Sequence, residues 1–298
     1  MAVSPHYVRS ALIIAVGVAA AAALTACGGA GSDSGKPSVV ASTNVWADIA
    51  STVAGPDADV SAIISDPSAD PHSHETSASE SAQLSDADLV VYNGGHYDEF
   101  VAKAIEGRGK RTVEAVAARD EAIRDDSNEH VWYDMETVAL VAGQIGDRLA
   151  EIDPAHAQDY TDRAARFADR LAQVGASTDA IAADHPGVPV IQTEPLAYYL
   201  LQDAGTVDRT PRDYQEAIEQ ETDPSPAAVA ATRDLITGKQ VAVLVYNVQT
   251  EDKVGRDLRD AAVAAGIPVV EVTETLPSGT DFVTWQTRNA QALADAIG

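Results

Sequence analysis

The sequence predicts an α/β protein with two lobes, each built from βα units on a parallel sheet, joined by one long rigid helix. Short runs of β-branched residues alternate with helical stretches in the first part of the chain. A long region from Glu136 to Asp184 then keeps helical apolar spacing, with few turn residues. The alternation resumes after Gly187 and continues to the C-terminus. These three observations together predict two α/β lobes and a helical link.

The first lobe is predicted at residues 39–150, and its short apolar runs indicate strands. We expect strands at 38–41, 60–64, 89–92 and 112–116, and helices at 44–54 and 97–106. The alternation of strand and helix stops at 136–151 and 154–184, two stretches with helical apolar spacing that Asp153-Pro154 separates. Pro154 suits the first turn of a helix, so we place the linking helix at 151–184.

The second lobe is predicted at residues 185–298. We expect strands at 188–193, 241–246 and 269–272, and helices at 196–204, 225–237, 252–265 and 280–297. Ligands of open parallel sheets bind outside the carboxyl ends of the strands. The cleft between the lobes is therefore the expected position of a binding site.

The charge of the chain narrows the choice of partners. Lys and Arg number 20 against 46 Asp and Glu, a formal net charge of -26. Such a field repels phosphate backbones and attracts cations, which excludes nucleic acid as a partner. Most of this charge is explained by solubility alone, so a specific site must lie in a few residues.

The N-terminus predicts export. Arg9 lies in a modestly basic segment, and residues 11–23 form an apolar run too short to span a bilayer. Residues 1–27 therefore form a predicted signal peptide, ending in a sequence that resembles the bacterial lipobox. Cys27, the one cysteine, is the predicted lipidation site that anchors the protein to the outer face of the cytoplasmic membrane. Residues 28–38 are rich in Gly and Ser and form a predicted flexible tether.

Two histidines lie close together in "SADPHSHET", residues 68–76. Pro71 stiffens the backbone before His72, which suits a metal ligand. We expect one of His72 and His74 to be the ligand and the other not. The alternative is that both are ordinary polar loop residues.

Three further polar residues lie at predicted strand ends or at the lobe junction. His130 begins "HVWYD", and Glu194 and Glu274 each follow a predicted strand. Alone, His130 could be a half-buried core residue and the glutamates solvated loop charges. Together with His72 they offer two imidazoles and two carboxylates. Such a set suits a first-row divalent ion, whose charge it balances.

Six ordered blocks from Val39 to the C-terminus carry a family resemblance. They are "ADIASTVAG" at 47–55, "DPHSHE" at 70–75, "LSDADLVVYNGGHYDEF" at 84–100, "HVWYD" at 130–134, "TEPLAYYLLQDAG" at 193–205, and "VYNVQTED" at 245–252 with "IPVVEVTETLP" at 267–277. The chain resembles the metal-binding receptors of bacterial ABC importers for zinc and manganese, solute-binding lipoproteins of the cluster A-I type.

The resemblance implies one zinc or manganese ion held between the lobes by His72, His130, Glu194 and Glu274. His74 stands where such receptors commonly have tyrosine, so we expect it to lie near the ion or in the loop, and the role of Glu75 stays open. The implied partners are an ABC permease with its cytoplasmic ATPase. The implied state is a monomer that is a transport receptor and not an enzyme.

The chain departs from the family pattern in three places. Zinc receptors usually have histidine where this chain has Glu194, and many carry a His-rich loop, whereas residues 107–129 are acidic here. Met135 replaces an expected proline. Bidentate carboxylates would suit Mn²⁺ and monodentate ones the tetrahedron of Zn²⁺, so ligation of the manganese type is favoured while the metal itself stays open.

Two other classes of function compete with a transport receptor. A surface metal-dependent hydrolase needs an open coordination position and a general base, and the chain contains neither HExxH nor G-x-S-x-G. A metal-binding adhesin that merely kept the fold is the second alternative. Permease and ATPase reading frames beside this one would distinguish the receptor from the adhesin.

Overall fold

The structure is a computed structural model that describes Met1 and residues 35–119, 128–220, 222–249 and 252–298. The predicted signal peptide beyond Met1, the lipidation site Cys27 and the tether up to residue 34 lie outside the described residues. Lys36–Gly298 form one compact unit. Among the described residues, no helix combines the length and the apolar character needed to cross a bilayer.

The first sheet contains four parallel strands in the order β2-β1-β3-β4. Its strands are β1 (Ser38–Thr43), β2 (Asp59–Ile64), β3 (Leu89–Tyr92) and β4 (Thr112–Glu114), and its helices are α1 (Asn44–Ala54), α2 (Ala78–Asp86), α3 (Glu99–Ile105) and α4 (Ala115–Ala118). β1 and β3 are buried on nearly every residue, as expected for strands covered on both faces.

Two antiparallel helices follow, α5 (Met135–Ile152) and α6 (Ala157–Asp184). Asp134 caps α5 by accepting hydrogen bonds from the backbone N–H groups of Glu136 and Thr137. Pro154 opens a short 3₁₀ turn before α6, so the long helix begins later than the predicted boundary at 151. α6 contacts α1 and α5 of the first lobe.

The second sheet repeats the strand order of the first, as β6-β5-β7-β8, again all parallel. Its strands are β5 (Pro189–Gln192), β6 (Val207–Asp208), β7 (Val243–Asn247) and β8 (Val269–Val272), and its helices are α7 (Tyr198–Asp203), α8 (Arg212–Glu219), α9 (Pro226–Thr237), α10 (Lys253–Ala265) and α11 (Phe282–Ile297). α7 and α11 of the second lobe also contact α6. The predicted two-lobe α/β fold with parallel sheets is confirmed.

A shared hydrophobic core joins the lobes. One cluster of buried residues includes Val39 and Val91 from the first sheet together with Val190 and Val245 from the second. Smaller clusters lie on the outer face of each sheet. The lobes are thus connected by apolar packing as well as by the long helix.

The structure contains four helices or strands that the sequence interpretation missed. α4 buries only Ala115, and it begins inside the strand predicted at 112–116, which ends at Glu114. α2 buries only Leu84, α8 buries only Tyr214, and both residues of β6 are exposed. Elements with so little buried apolar surface give no periodic signal. The overlooked signal at α2 was its start, where Ser77 and Glu80 form a capping box.

Candidate metal centre

Residues at the carboxyl ends of strands from both sheets line a cavity of about 540 Å³. The lining of this cavity includes Asp70, His72, His96, Asn128, Glu129, His130, Glu194, Pro195, Glu219 and Glu274. In each sheet the first strand lies between the second and the third, so the chain steps to one side of the first strand and then crosses over it to the other side. Such switch points leave crevices at the carboxyl ends of parallel strands, which is where this cavity lies.

Three predicted ligands converge in this cavity. His72, His130 and Glu274 each offer a ligand atom, and these atoms lie within 4.8 Å of one another. Glu274 Oε1 is 3.7 Å from His72 Nε2 and 3.8 Å from His130 Nε2. In a tetrahedral site with bonds of about 2.1 Å, ligand atoms are about 3.4 Å apart. The three atoms therefore have nearly the spacing of ligands around one ion.

Two of these atoms are buried without an ordinary partner. Within the described residues, His130 Nε2 and Glu274 Oε1 have no hydrogen-bond partner. The residues are 5% and 6% exposed. Buried polar atoms are nearly always hydrogen-bonded, and an unsatisfied one needs a specific reason. A cation between the imidazoles and the carboxylate would satisfy both atoms.

Local backbone structure presents each histidine. Asp70 Oδ1 accepts a hydrogen bond from the His72 backbone N–H at 2.9 Å, and Pro71 restricts the same turn. His130 directly precedes the 3₁₀ turn Val131–Tyr133 that leads into α5. The ring of Tyr97 meets that of His72 edge to face, with the centroids 5.0 Å apart. Both imidazoles are therefore held on short, restrained segments.

Glu274 follows β8 in a loop that hydrogen bonds hold against the first lobe. The Gln249 side chain accepts from the backbone N–H groups of Glu274 and Thr275, and it donates to the Pro67 carbonyl. Thr275 Oγ1 also donates to the Pro67 carbonyl at 2.7 Å. These contacts place the loop of Glu274 beside the segment that leads to His72.

Glu194, the fourth predicted ligand, lines the cavity but does not belong to the cluster of three. It follows β5, as expected, and is half-buried. Its Oε2 accepts a hydrogen bond from Asn247 Nδ2 at 2.7 Å. Ligation by Glu194 therefore stays a prediction.

His74 and Glu75 lie outside the cluster of three. They line an adjoining pocket of about 590 Å³, together with His96, Glu99 and Phe100. His74 Nε2 is 3.5 Å from Glu80 Oε1, and its ring contacts that of Phe100. His74 thus contacts side chains of α2 and α3 and is not one of the three clustered ligands.

The sequence interpretation missed one carboxylate at the site. Glu129 Oε1 lies 3.7 Å from His72 Nε2, and its Oε2 accepts a hydrogen bond from the His96 backbone N–H at 2.8 Å. The available signal was its position, directly before His130. Glu129 adds a negative charge beside the two imidazoles.

The charges of the site shift the pKa values of its members. Burial lowers the pKa of His72, but the neighbouring carboxylates of Glu274, Glu129 and Asp70 outweigh it and raise the pKa to about 9. Burial alone would raise the pKa of Glu274, but contacts with His130 and His72 lower it to about 2. The two shifts have opposite signs and one physical cause, because protonated imidazole and ionised carboxylate attract each other across the site and each stabilises the charged form of the other.

The family model described as "Zinc-uptake complex component A periplasmic" (ZnuA) matches residues 39–296. The chain belongs to this family. The match extends over both lobes and includes all four predicted ligands. The resemblance to metal receptors is thereby confirmed, and the family is one of uptake components and not of enzymes.

Curated relatives and solved structures agree with this family. The chain is 27% identical to the metal ABC transporter substrate-binding lipoprotein SsaB of Streptococcus sanguinis over 156 residues, 48% of this chain and 50% of SsaB. It is 24% identical to the iron-binding protein YfeA of Yersinia pestis over 227 residues, 73% of this chain and 71% of YfeA. The match to SsaB thus spans about half the length of that relative. The periplasmic zinc binding protein TroA from Treponema pallidum has the same fold, with a TM-score of 0.75 at 20% identity, covering 88% of this chain and 99% of TroA.

Proposed function

We propose that this protein is the substrate-binding lipoprotein of an ABC importer and captures one divalent transition metal ion, zinc or manganese, outside the cytoplasm. The observation that carries this proposal is the buried cluster of His72, His130 and Glu274. Its ligand atoms lie within 4.8 Å of one another. Two of those atoms have no hydrogen-bond partner within the described residues.

The donor set suits such an ion. Imidazole and carboxylate ligands bind first-row divalent metals, and neutral histidines with two carboxylates balance the charge of the ion. We propose Glu194 as the fourth ligand, because it lines the same cavity and follows a strand of the second lobe. Zn²⁺ would take four ligands, whereas Mn²⁺ would use additional carboxylate oxygens. The names of TroA and YfeA, a zinc- and an iron-binding protein, support a transition metal as the class of cargo.

The proposed partners are an ABC permease and its cytoplasmic ATPase, and the name of SsaB supports them. We propose that Cys27 carries a lipid anchor, that residues 28–38 tether the receptor to the outer face of the cytoplasmic membrane, and that the receptor acts as a monomer. Within it, residues 39–150 and 185–298 would form the two lobes and 151–184 the link. Neither the hydrolase nor the adhesin alternative gains a specific observation from the described residues.

A metal titration tests the proposal. Chelator-stripped full chain is titrated with Zn²⁺, Mn²⁺, Mg²⁺ and Ca²⁺, and the melting temperature and heat of binding are recorded. We expect one equivalent of Zn²⁺ or Mn²⁺ to raise the melting temperature, since an ion that binds only the native state stabilises it. Mg²⁺ and Ca²⁺ should have little effect because they prefer sites made only of oxygen ligands.

The variant Glu274→Gln should lose most of this response, because an amide is a much weaker ligand than a carboxylate. Glu271→Gln is the matched control. Glu271 lies on β8, the strand that Glu274 follows, and its side chain is 54% exposed and pairs with Arg259. Equal metal responses in the two variants would refute the assignment of the site. The absence of any metal response in the wild type would refute the proposed function.

A further inference from the structure

One side chain contacts both a predicted histidine ligand and the turn that carries a predicted glutamate ligand. Asn128 Oδ1 accepts a hydrogen bond from the His130 backbone N–H at 2.9 Å and lies 3.1 Å from His130 Nδ1. Asn128 Nδ2 donates to the Pro195 carbonyl at 2.8 Å. Pro195 is the residue directly after Glu194. Asn128 therefore spans from the segment of His130 to the second lobe.

These partners fix which way the amide of Asn128 points. The Pro195 carbonyl can only accept a hydrogen bond, so the NH₂ group of Asn128 must face it. The amide oxygen must then face the His130 backbone N–H and the imidazole. The network leaves no equivalent flipped arrangement.

The orientation of Asn128 in turn fixes the tautomer of His130. An amide oxygen can only accept, so the imidazole must carry its proton on Nδ1 in this contact. A neutral imidazole has one ring proton, so Nε2 keeps its lone pair. Nε2 is the atom that lies 3.8 Å from Glu274 Oε1 in the cluster. The contact with Asn128 therefore selects the tautomer that can bind an ion there.

The second lobe also holds the backbone of Asn128. The Tyr199 hydroxyl, on α7, donates to the Asn128 carbonyl at 2.7 Å. Together with the contact to Pro195, this gives Asn128 two hydrogen bonds to the second lobe. Separation of the lobes would break both and leave the amide of Asn128 held through its oxygen alone. The orientation of His130 is thus restrained more tightly while the lobes are in contact.

We propose that Asn128 is a positioning residue that couples the orientation of His130 to the docking of the second lobe. It keeps Nε2 available to the ion while the turn at Pro195 is in place, and it holds His130 less tightly when the lobes separate. The inference rests on the proposed metal-binding function, because a better-oriented His130 would hold the ion more tightly while the lobes are in contact. Supporting partners of ligating histidines fix the tautomer and raise metal affinity in this way.

Three variants of the full chain test the proposal. Asn128→Ala removes both contacts, whereas Asn128→Asp keeps an acceptor for the imidazole but places a carboxylate oxygen against the Pro195 carbonyl. Asn44→Ala is the matched control, because Asn44 also joins the lobes through an amide. Asn44 Nδ2 donates to the Leu276 carbonyl at 2.9 Å, and Asn44 Oδ1 accepts from the Leu276 N–H at 3.1 Å. The readouts are ¹⁵N NMR of the imidazole of His130 in the metal-free protein and the Zn²⁺ dissociation constant from calorimetry.

We expect the wild type and Asn128→Asp to show the Nδ1–H tautomer, and Asn128→Ala to show a mixture of tautomers. Zn²⁺ affinity should fall about 10–100-fold in Asn128→Ala and less in Asn128→Asp. Asn44→Ala should lower the melting temperature and leave the tautomer unchanged. A mixed tautomer in the wild type, or an Asn128→Ala variant with wild-type tautomer and affinity, would overturn the inference while leaving the receptor function intact. If the wild type binds no Zn²⁺ or Mn²⁺, the proposed function itself fails and the inference fails with it.

Discussion

Asp98 is a buried carboxylate that holds the turn before Tyr97, a neighbour of His72. Its two oxygens accept hydrogen bonds from the backbone N–H groups of Asn93 at 2.7 Å and of Gly94 at 2.9 Å. Gly94 and Gly95 have φ angles of 79° and 68°, which glycine adopts without strain. The resulting tight turn places Tyr97, the neighbour of Asp98, against the ring of His72.

Burial raises the pKa of Asp98 from its ordinary value of 3.8 to about 6, although the two backbone hydrogen bonds oppose this shift. A carboxyl with a raised pKa in the folded state contributes stability at pH values below its unfolded pKa, and loses that contribution as the pH rises through 6. The asparagine of Asp98→Asn does not titrate. Relative to that variant, the free energy of unfolding of the wild type should therefore rise by about 1–3 kcal/mol as the pH falls from 7 to 4.

Chemical denaturation of the metal-free proteins at several pH values measures this difference. The control is Asp86→Asn, because Asp86 is exposed at the end of α2. The stability of Asp86→Asn relative to the wild type should change little between pH 7 and pH 4. A difference between wild type and Asp98→Asn that is independent of pH, or that grows with rising pH, would contradict the role given to burial at Asp98.

The residue types of the site were predictable from the sequence, but their contacts were not. His72, His130 and Glu274 could be predicted because each follows a strand or begins the lobe junction. The hydrogen bond from Asn247 to Glu194, and the approach of Glu129 to His72, depend on side-chain orientations that only the folded chain sets. Sequence spacing carries no information about such orientations.

At the scale of elements, a buried arginine joins three helices. Arg119 follows α4 and is 6% exposed. Its guanidinium donates to the Tyr199 hydroxyl on α7 at 2.6 Å, lies over the Tyr199 ring, and has its Nε 3.3 Å from Oδ2 of Asp134, the cap of α5. The junction between the lobes is thus held by a charged group that is desolvated and paired.

Removing this charge should destabilise the protein strongly. Arg119→Met keeps much of the side-chain volume but leaves the carboxylate of Asp134 without its buried partner, which typically costs about 3–5 kcal/mol. The control is Arg170→Met, since Arg170 pairs with Asp281 at the surface, where both side chains are nearly half exposed. That pair should contribute less than about 1 kcal/mol. Urea denaturation measures the free energy of unfolding of both variants. Equal losses of stability in the two would show that Arg119 does not stabilise the junction between the lobes.

Element bounds were predictable where burial is periodic. α1 was predicted at 44–54 and lies there, because Val45, Trp46, Ile49 and Val53 form one buried face. β3 was predicted correctly as an apolar run that is buried in the sheet. The polar helices α2 and α8 were missed because each buries a single residue and so shows no apolar stripe. The periodicity of apolar residues along the sequence reflects burial, so it is weak in an element that buries few residues.

At the scale of the whole molecule, two sheets of the same topology turn their strand ends toward one cavity. The first lobe supplies His72 and His130, and the second supplies Glu194 and Glu274. Neither lobe alone carries all four predicted ligands. Capture of an ion by these four residues, as proposed, would require the two lobes to be in contact, which the shared core and α6 maintain. The net charge of -26 attracts cations toward such a cleft.

Metal capture in this cleft is tested most directly by an anomalous-scattering crystal structure of the protein loaded separately with Zn²⁺ and Mn²⁺. We expect one anomalous peak per molecule within bonding distance of His72 Nε2, His130 Nε2 and Glu274, with a carboxylate oxygen of Glu194 moving in as a further ligand. A peak at any other position, or no ordered peak with either metal, would contradict the claim that this cleft is the site of metal capture.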